Sequence, residues 1–197
     1  MIEKTLVLLK PDALQRGLIG DIITRFEKVG LKIIAMKMVY ADEDLAGKHY
    51  EADEDWLRSV GEKSIKSAQE KGETVSETDP MKIGHKVRTM LLDYITMSPV
   101  IALIIEGHGA VKAVRKLVGG TNPQDCQPGT IRGDYTIDSY ILADTSGRSL
   151  QNLIHASGEV HEAEREIKLW FSAEEIHVWK RVSEDLIYRN LNSRLDE

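Results

Sequence analysis

The chain has 197 residues, 42% hydrophobic and 29% charged, which suits one domain with a sizeable core and the composition of an ordinary globular protein. A formal net charge of -6 excludes the broadly basic surface that a groove for long nucleic acid needs to replace phosphate counterions. The longest apolar run, PVIALIIEG at 99–107, is too short to span a bilayer, and a single cysteine, Cys126, permits neither an internal disulfide nor a cysteine-based metal cluster.

In chain order, KTLVLLKPD reads as a mostly apolar buried strand stopped by Pro11. LIGDIITRFEKVG places Ile19, Ile22, Ile23 and Phe26 at helical spacing, with Gly30 as the C-terminal cap. LKIIAMKMVY, 31–40, is rich in apolar and β-branched residues and predicts a second strand. Asp42 is an N-cap for a short helix through DEDLAGKHY. Residues 53–85 are mostly charged or small and read as an inserted surface excursion with one helix around 56–70, TVSETDP being a loop. The helical pattern returns at VRTMLLDYI, where Val87, Met90, Leu91, Tyr94 and Ile95 share a face. PVIALIIE is a buried strand and GAVKAVRKLVGG a helix ended by glycine. The loop GGTNPQDCQPGTIRGDY and an irregular stretch at 138–149 follow; LQNLIHA is the last core strand and EVHEAEREIKLWF the closing helix, with Val160, Ala163, Ile167 and Trp170 on one face. Strands separated by helices in this order predict an α+β sandwich of the ferredoxin-like βαββαβ kind, with an antiparallel four-stranded sheet covered by helices. It is expected as a single domain over 1–197, with surface insertions at about 53–85 and 138–149.

Phosphate-binding glycine loops of the P-loop and dinucleotide types are missing from the sequence. HEAER at 161–165 lacks the second histidine of a zinc-protease motif, so His161 is read as a solvated helix residue. His49, His85, His108 and His177 have no neighbours at ligand spacing and receive no metal role. What remains is a set of cationic and polar residues at element ends: Lys10, Arg115, Thr121, Arg132, Asn152 and His155. Taken singly each reads as a surface residue. The long loop reads otherwise, because an extended aperiodic segment that is stiffened by proline is usually functional.

LLKPDALQRGLIGDIITRFEKVGLKI, HY, GGTNPQDCQPGTIRGDY and NLIHASGEVHEAEREIKLWF, in this chain order, resemble the nucleoside diphosphate kinase family, and the Asn-x-x-His-x-Ser segment and the TNP…PGTIRGD loop are specific to it. The resemblance implies transfer of a terminal phosphoryl group from a nucleoside triphosphate such as ATP to a nucleoside diphosphate, by a ping-pong route through a phosphohistidine. It implies that His155 is the nucleophile and that Glu166 hydrogen-bonds the other ring nitrogen; physically, imidazole is neutral and available near pH 7. Eleven residues along a helix are about three turns, so Glu166 can return to the face of the helix start. By the same resemblance Ser157 lies near the phosphoryl group and Tyr50 near the γ-phosphate. Lys10, Arg115, Thr121 and Arg132 contact the triphosphate, and Asn152 the ribose. Mg²⁺ arrives with the nucleotide rather than in a protein-built cage. The family relation also implies a homo-oligomer, a hexamer or else a tetramer, with nucleoside di- and triphosphates as partners, no nucleic acid and no membrane. MIEKTLVLLKPD lacks a secretory signal, and a cytoplasmic location is expected.

The chain departs from the family pattern in three places. The insertion at 53–85 falls at the connection that carries the base-stacking aromatic, whose position is held here by Val87 with Leu91 one turn on; Trp56 is an alternative stacker. The second insertion lies just before Asn152. Gly158 stands where the family commonly has an aspartate that helps hold the lysine, leaving Lys10 to another partner such as Glu159. The alternative to an active kinase is a silent nucleotide-binding scaffold, but the chain keeps both the nucleophile and the phosphate clamps.

Overall fold

A computed structural model describes residues 2–70 and 77–188. Its centre is a four-stranded sheet in the order β2-β3-β1-β4, built from β1 (Ile2–Leu9), β2 (Lys32–Val39), β3 (Val100–His108) and β4 (Ile154–Ala156). Every neighbouring pair is antiparallel, with Ile2 opposite His108 and Leu9 opposite Ile101 in the central pair. This is the expected ferredoxin-like α+β architecture.

The apolar runs of β1 and β3 lack polar alternation because both sheet faces are covered. On one face Val7, Leu9, Leu103 and Ile105 pack with Ile22 and Phe26 of α2 (Ile19–Lys28) and Val114 of α6 (Ala110–Val118). On the other, Leu6, Leu8, Ala102 and Ile104 meet Ala46 of α3 (Glu43–His49), Ile95 of α5 (Pro80–Thr96), and Ile167 and Trp170 of α9 (Val160–Trp170). Full burial of a side chain such as Phe26 or Ile22 contributes about 1.5–3 kcal/mol.

The terminators behave as the sequence predicts. Asp42 caps α3 by accepting the Leu45 N–H at 2.8 Å. Gly30, at φ 89°, closes α2 while the Leu31 N–H reaches the Phe26 carbonyl, a Schellman arrangement that only a residue tolerant of positive φ completes at low strain. Pro11 both ends β1 and opens α1 (Pro11–Gln15) as its first helical residue.

The inserted segments are more ordered than their composition predicts. Residues 53–85 hold the expected helix, α4 (Glu54–Glu70), and the first turns of a second: α5 begins at Pro80, seven residues before the apolar stripe, and packs against α4 as a helical hairpin. Asp79 caps it by accepting the Met81 N–H at 2.9 Å. The hairpin is held by close backbone approach. A Cβ on Gly61 would lie 1.9 Å from the Pro80 carbonyl oxygen, and one on Gly84 2.2 Å from that of Leu57. Residues 74–76 of the expected TVSETDP loop lie outside the described residues. The stretch 138–149 contains a helix, α8 (Tyr140–Thr145), capped by Ser139. The last strand is shorter than LQNLIHA: β4 has three residues, because the chain turns sharply at Asn152–Leu153.

After α9 the chain runs along the outer edge of β2. The His177 N–H donates to the Ile34 carbonyl, the Trp179 indole to that of Ile33, and Arg181 to that of Leu31. These bonds occupy edge groups where the β2–β3 ladder is irregular, between Ile33 and Ala35.

Candidate active site

β4 carries His155 opposite Leu8 in the sheet and aims it at α9. Glu166, 1% exposed, projects from that helix so that its two carboxylate oxygens lie 2.9 and 3.0 Å from the same His155 nitrogen, Nε2. Ser157, fully buried, donates its hydroxyl to Glu166 Oε2 at 2.6 Å and accepts the Leu6 N–H. Burial alone would raise the Glu166 pKa; the hydrogen bond and charge of His155, with the Ser157 hydroxyl, outweigh it and leave the carboxyl below its ordinary value. An ionised Glu166 accepts, so the Nε2 proton stays on His155 and the lone pair sits on Nδ1. The His155 side chain is 20% exposed, open enough for a ligand to reach it.

A cationic floor lies beside the histidine. Lys10, at the end of β1 and 6% exposed, donates to Asn152 Oδ1 at 2.9 Å and faces the Tyr94 ring at 5.2 Å. Burial and the neighbouring Arg132 guanidinium lower its pKa to about 7, against the upward pull of Asp12. Asn152 gives its own amide N–H to the Thr121 carbonyl, tying the floor to the long loop. Arg132, on α7 (Ile131–Tyr135), donates to the carbonyls of Gly119, Gly120, Asn152 and Ile154. The chain between these acceptors is strained: Leu153 sits at φ 66°, with the Ile154 N–H bonded to the Asn152 carbonyl at 2.8 Å. Such a γ-turn costs about 1–3 kcal/mol for a non-glycine residue. It is held by Asp12 Oδ2 on the Leu153 N–H and by the Lys10 N–H on the Leu153 carbonyl. Arg115, from α6, reaches the Ala156 carbonyl at 3.4 Å, and Thr121 is exposed at the rim.

A histidine with one ring nitrogen paired and the other open stands beside a buried lysine and a loop wired by one arginine. The family model of nucleoside diphosphate kinase matches residues 3–58 and 64–176. The chain belongs to the nucleoside diphosphate kinase family. A nucleoside diphosphate kinase of Pyrobaculum aerophilum is 49% identical over 179 residues, 89% of this chain and 98% of that protein. One from Pyrococcus furiosus is 44% identical, covering 95% of this chain and 94% of its own length. Among solved structures, the Pyrobaculum aerophilum NDP kinase superposes with a TM-score of 0.87 at 47% identity, over 90% of this chain and all of that one. The Borrelia burgdorferi enzyme, solved as a transition-state mimic with vanadate and ADP, gives 0.77 at 39% identity, covering 96% of this chain and 98% of its own. Membership makes this protein a phosphotransferase that handles nucleotides.

Against the family pattern, the departures resolve as follows. Glu159 does not take up Lys10: its side chain is 75% exposed and pairs with His161, while Lys10 turns to Asn152. At Gly158 the missing aspartate is replaced in space by Glu162, whose carboxylate accepts the Gly158 N–H and stands 2.7 Å from where a Cβ would be. Ser157 lies behind Glu166 rather than in the open site, a consequence of its full burial. Val87 and Leu91 are half-buried one turn apart on α5, in the stripe that ends at Tyr94, and Trp56 is half-buried in the first turn of α4. Tyr94 donates to Asp12 at 2.5 Å, linking α5 to the turn that carries Asn152.

Sequence reasoning missed two groups. Arg88 donates to the carbonyls of Gly47 and Tyr50 and fixes α3 against α5. His49, dismissed for want of neighbours, has them in space: its Nδ1 is 3.7 Å from Glu166 Oε1, and its ring is 4.6 Å from that of His155. The signal was its helical position beside Tyr50 at the end of α3; nothing in the spacing points to β4. The Tyr50 hydroxyl is buried with no hydrogen-bond partner among the described residues, and burial, then the Glu166 charge, raises its pKa and keeps it a donor.

Proposed function

We propose that the enzyme moves the γ-phosphate of ATP to a nucleoside diphosphate in two transfers through a phosphohistidine at Nδ1 of His155. The carrying observation is that both oxygens of Glu166 sit on Nε2, leaving Nδ1 with the lone pair. In the first transfer the Nδ1–P bond forms as the bond from the γ-phosphorus to the β–γ bridging oxygen breaks, and ADP leaves with those electrons. The ring becomes cationic, and the Glu166 carboxylate stabilises it through the retained Nε2 proton. The acceptor diphosphate then reverses the step and carries the phosphoryl group away, supporting NTP and dNTP synthesis.

Phosphoryl transfer asks the protein chiefly for position and positive charge. Lys10, Arg115 and Arg132 supply the charge, with Thr121 and the Tyr50 hydroxyl as donors to phosphate oxygens. Asn152 serves the sugar, and Val87 and Leu91 offer an apolar strip for the base. Mg²⁺ would enter with the nucleotide as part of the substrate and would offset negative charge on its phosphates. Among the described residues the sole cluster of ligand-type groups is His49, His155 and Glu166, two of them imidazoles, a poor match for an ion that wants an octahedron of oxygens. The Halobacterium salinarum structure, 35% identical at a TM-score of 0.67, holds CDP, which supports a site of this kind for nucleotides. The enzyme works in the cytoplasm as a homo-oligomer, a hexamer favoured over a tetramer.

Incubation with γ-labelled ATP should yield a phosphoprotein labile to acid and stable to base, and His155→Ala should abolish it. Absence of that intermediate in an actively turning-over enzyme would sink the ping-pong reading.

A further inference from the structure

Behind His155 stands a pair that the proposed chemistry does not use. The Trp170 indole nitrogen is 3.3 Å from His49 Nδ1. An indole N–H only donates, so Nδ1 accepts, and neutral His49 carries its proton on Nε2. That Nε2 is buried without a hydrogen-bond partner among the described residues. The His49 ring stands edge-on to His155 at 86° and also abuts the Tyr50 ring at 4.8 Å. Its lone-pair nitrogen faces Glu166 Oε1 at 3.7 Å and offers that carboxylate nothing to accept.

We propose that His49, locked in its Nε2–H tautomer by the Trp170 indole, is a positioning residue that keeps Glu166 committed to His155 and walls the His155 ring against rotation. This rests on His155 being the nucleophile. The opposite tautomer would present an Nδ1–H to Glu166, and a protonated His49 would pair with it; either draws a carboxylate oxygen away from His155. The groups facing His49 all bear on this balance: Glu166 and Arg165 from α9, His155 from β4, Lys10 from the end of β1, and Tyr50 beside it. Burial first, then the neighbouring His155, Lys10 and Arg165, holds the His49 pKa well below its ordinary value. In neutral His49 the Trp170 N–H occupies Nδ1 and sets the proton on Nε2, against the pull of Glu166 Oε1 3.7 Å away. The arrangement extends the nucleophile–orienter set outward by two residues, in the way supporting hydrogen bonds fix a tautomer elsewhere.

The test is Trp170→Phe, which keeps an aromatic ring and removes the N–H, alongside His49→Leu and His49→Gln. Imidazole ¹⁵N NMR of the intact enzyme should show a bare Nδ1 and a protonated Nε2 on His49, changing to mixed tautomers in Trp170→Phe. The kcat of that variant should fall by about ten-fold or more with KM nearly unchanged, as expected for misplacement of a reacting group. Its acid limb should move to higher pH, because His49 can then protonate beside Glu166. His49→Gln, whose amide oxygen can take the indole N–H, should recover part of the kcat that His49→Leu loses. A protonated Nδ1 in the unmodified enzyme overturns the proposal, even if no variant folds. So does a Trp170→Phe enzyme with unaltered tautomer, kcat and acid limb. If the unmodified enzyme forms no acid-labile intermediate, the phosphohistidine reading fails instead; if it does and the variants are silent, only the role of His49 fails.

Discussion

His155 and Glu166, eleven residues apart in the chain, meet with both carboxylate oxygens within 3.0 Å of one imidazole nitrogen. The bend from β4 into α9 makes this possible, and Ser157 within that bend anchors Oε2 from behind. The pairing makes the two ring nitrogens unequal: Nε2 holds a proton against Glu166, and Nδ1 keeps its lone pair, as the proposed transfer requires.

Glu166→Gln tests that division. The amide keeps the volume but not the charge, and its NH₂ must face either the His155 N–H or the Ser157 hydroxyl. Single-turnover formation of the phosphoenzyme should slow by about 10²-fold or more, within the range for a lost orienting or proton-holding group. Nucleotide affinity should change little, because Glu166 touches His155 and Ser157 rather than the cationic floor. An unchanged single-turnover rate would remove Glu166 from the mechanism.

Lys10 supplies a prediction with a definite sign. Its pKa is lowered to about 7 by burial and by Arg132. A bound polyphosphate opposes both effects and restores the charged form. The free protein therefore takes up a proton on binding nucleotide above pH 7, and binding weakens as pH rises through that value. One pKa unit corresponds to about 1.4 kcal/mol, so the loss should approach ten-fold per pH unit above 7. Calorimetry in buffers of different ionisation enthalpy measures the proton uptake directly. Lys10→Met should bind more weakly and lose the uptake; a wild-type protein that binds without taking up protons at pH 8 contradicts the assignment.

Much of this site was legible in the sequence because its parts sit at element ends that punctuation marks. Pro11 locates Lys10, Gly119 and the prolines at 123 and 128 locate the loop, and the apolar period of α9 places Glu166 on the inward face. The core strands were legible as unbroken apolar runs. The misreadings have a common cause in close backbone contact. Gly61 and Gly84 lower helical propensity, yet they are where α4 and α5 touch, so tertiary packing overrides what composition suggests. Leu153 looks like a strand residue, yet it sits at positive φ because Asp12 and Lys10 hold its backbone. His49 is invisible for a different reason. Its partners come from β4 and α9, more than a hundred residues away, and no local period encodes that meeting.

Arg132→Lys should cost stability as well as activity. The guanidinium bridges four backbone carbonyls from two segments, Gly119–Gly120 and Asn152–Ile154, and is 8% exposed. A lysine cannot reproduce that fork and would leave buried carbonyls unpaired, at about 1–3 kcal/mol in sum or more. Denaturant unfolding of the variant should show a lower midpoint with an unchanged slope. A variant with unaltered midpoint but impaired turnover would mean that Arg132 serves the phosphates alone.

The helical hairpin offers the last test, one that separates base contact from chemistry. Gly84→Ala introduces a Cβ where the Leu57 carbonyl oxygen would lie 2.2 Å away, so α4 must back away from α5. Overpacking of this kind costs about 1–3 kcal/mol. Val87 and Leu91 lie on the same helix within the next two turns, whereas His155, Glu166 and Lys10 are held by β1, β4 and α9. The displacement should therefore raise KM for the nucleotide while leaving the single-turnover rate at saturating ATP close to that of the unmodified enzyme. Gly61→Ala, against Pro80 at the start of α5, should lower thermal stability similarly with a smaller effect on KM, since it acts about one turn farther from Val87. Equal effects of both substitutions on kcat, with KM untouched, would show that the hairpin does not carry the base-facing strip.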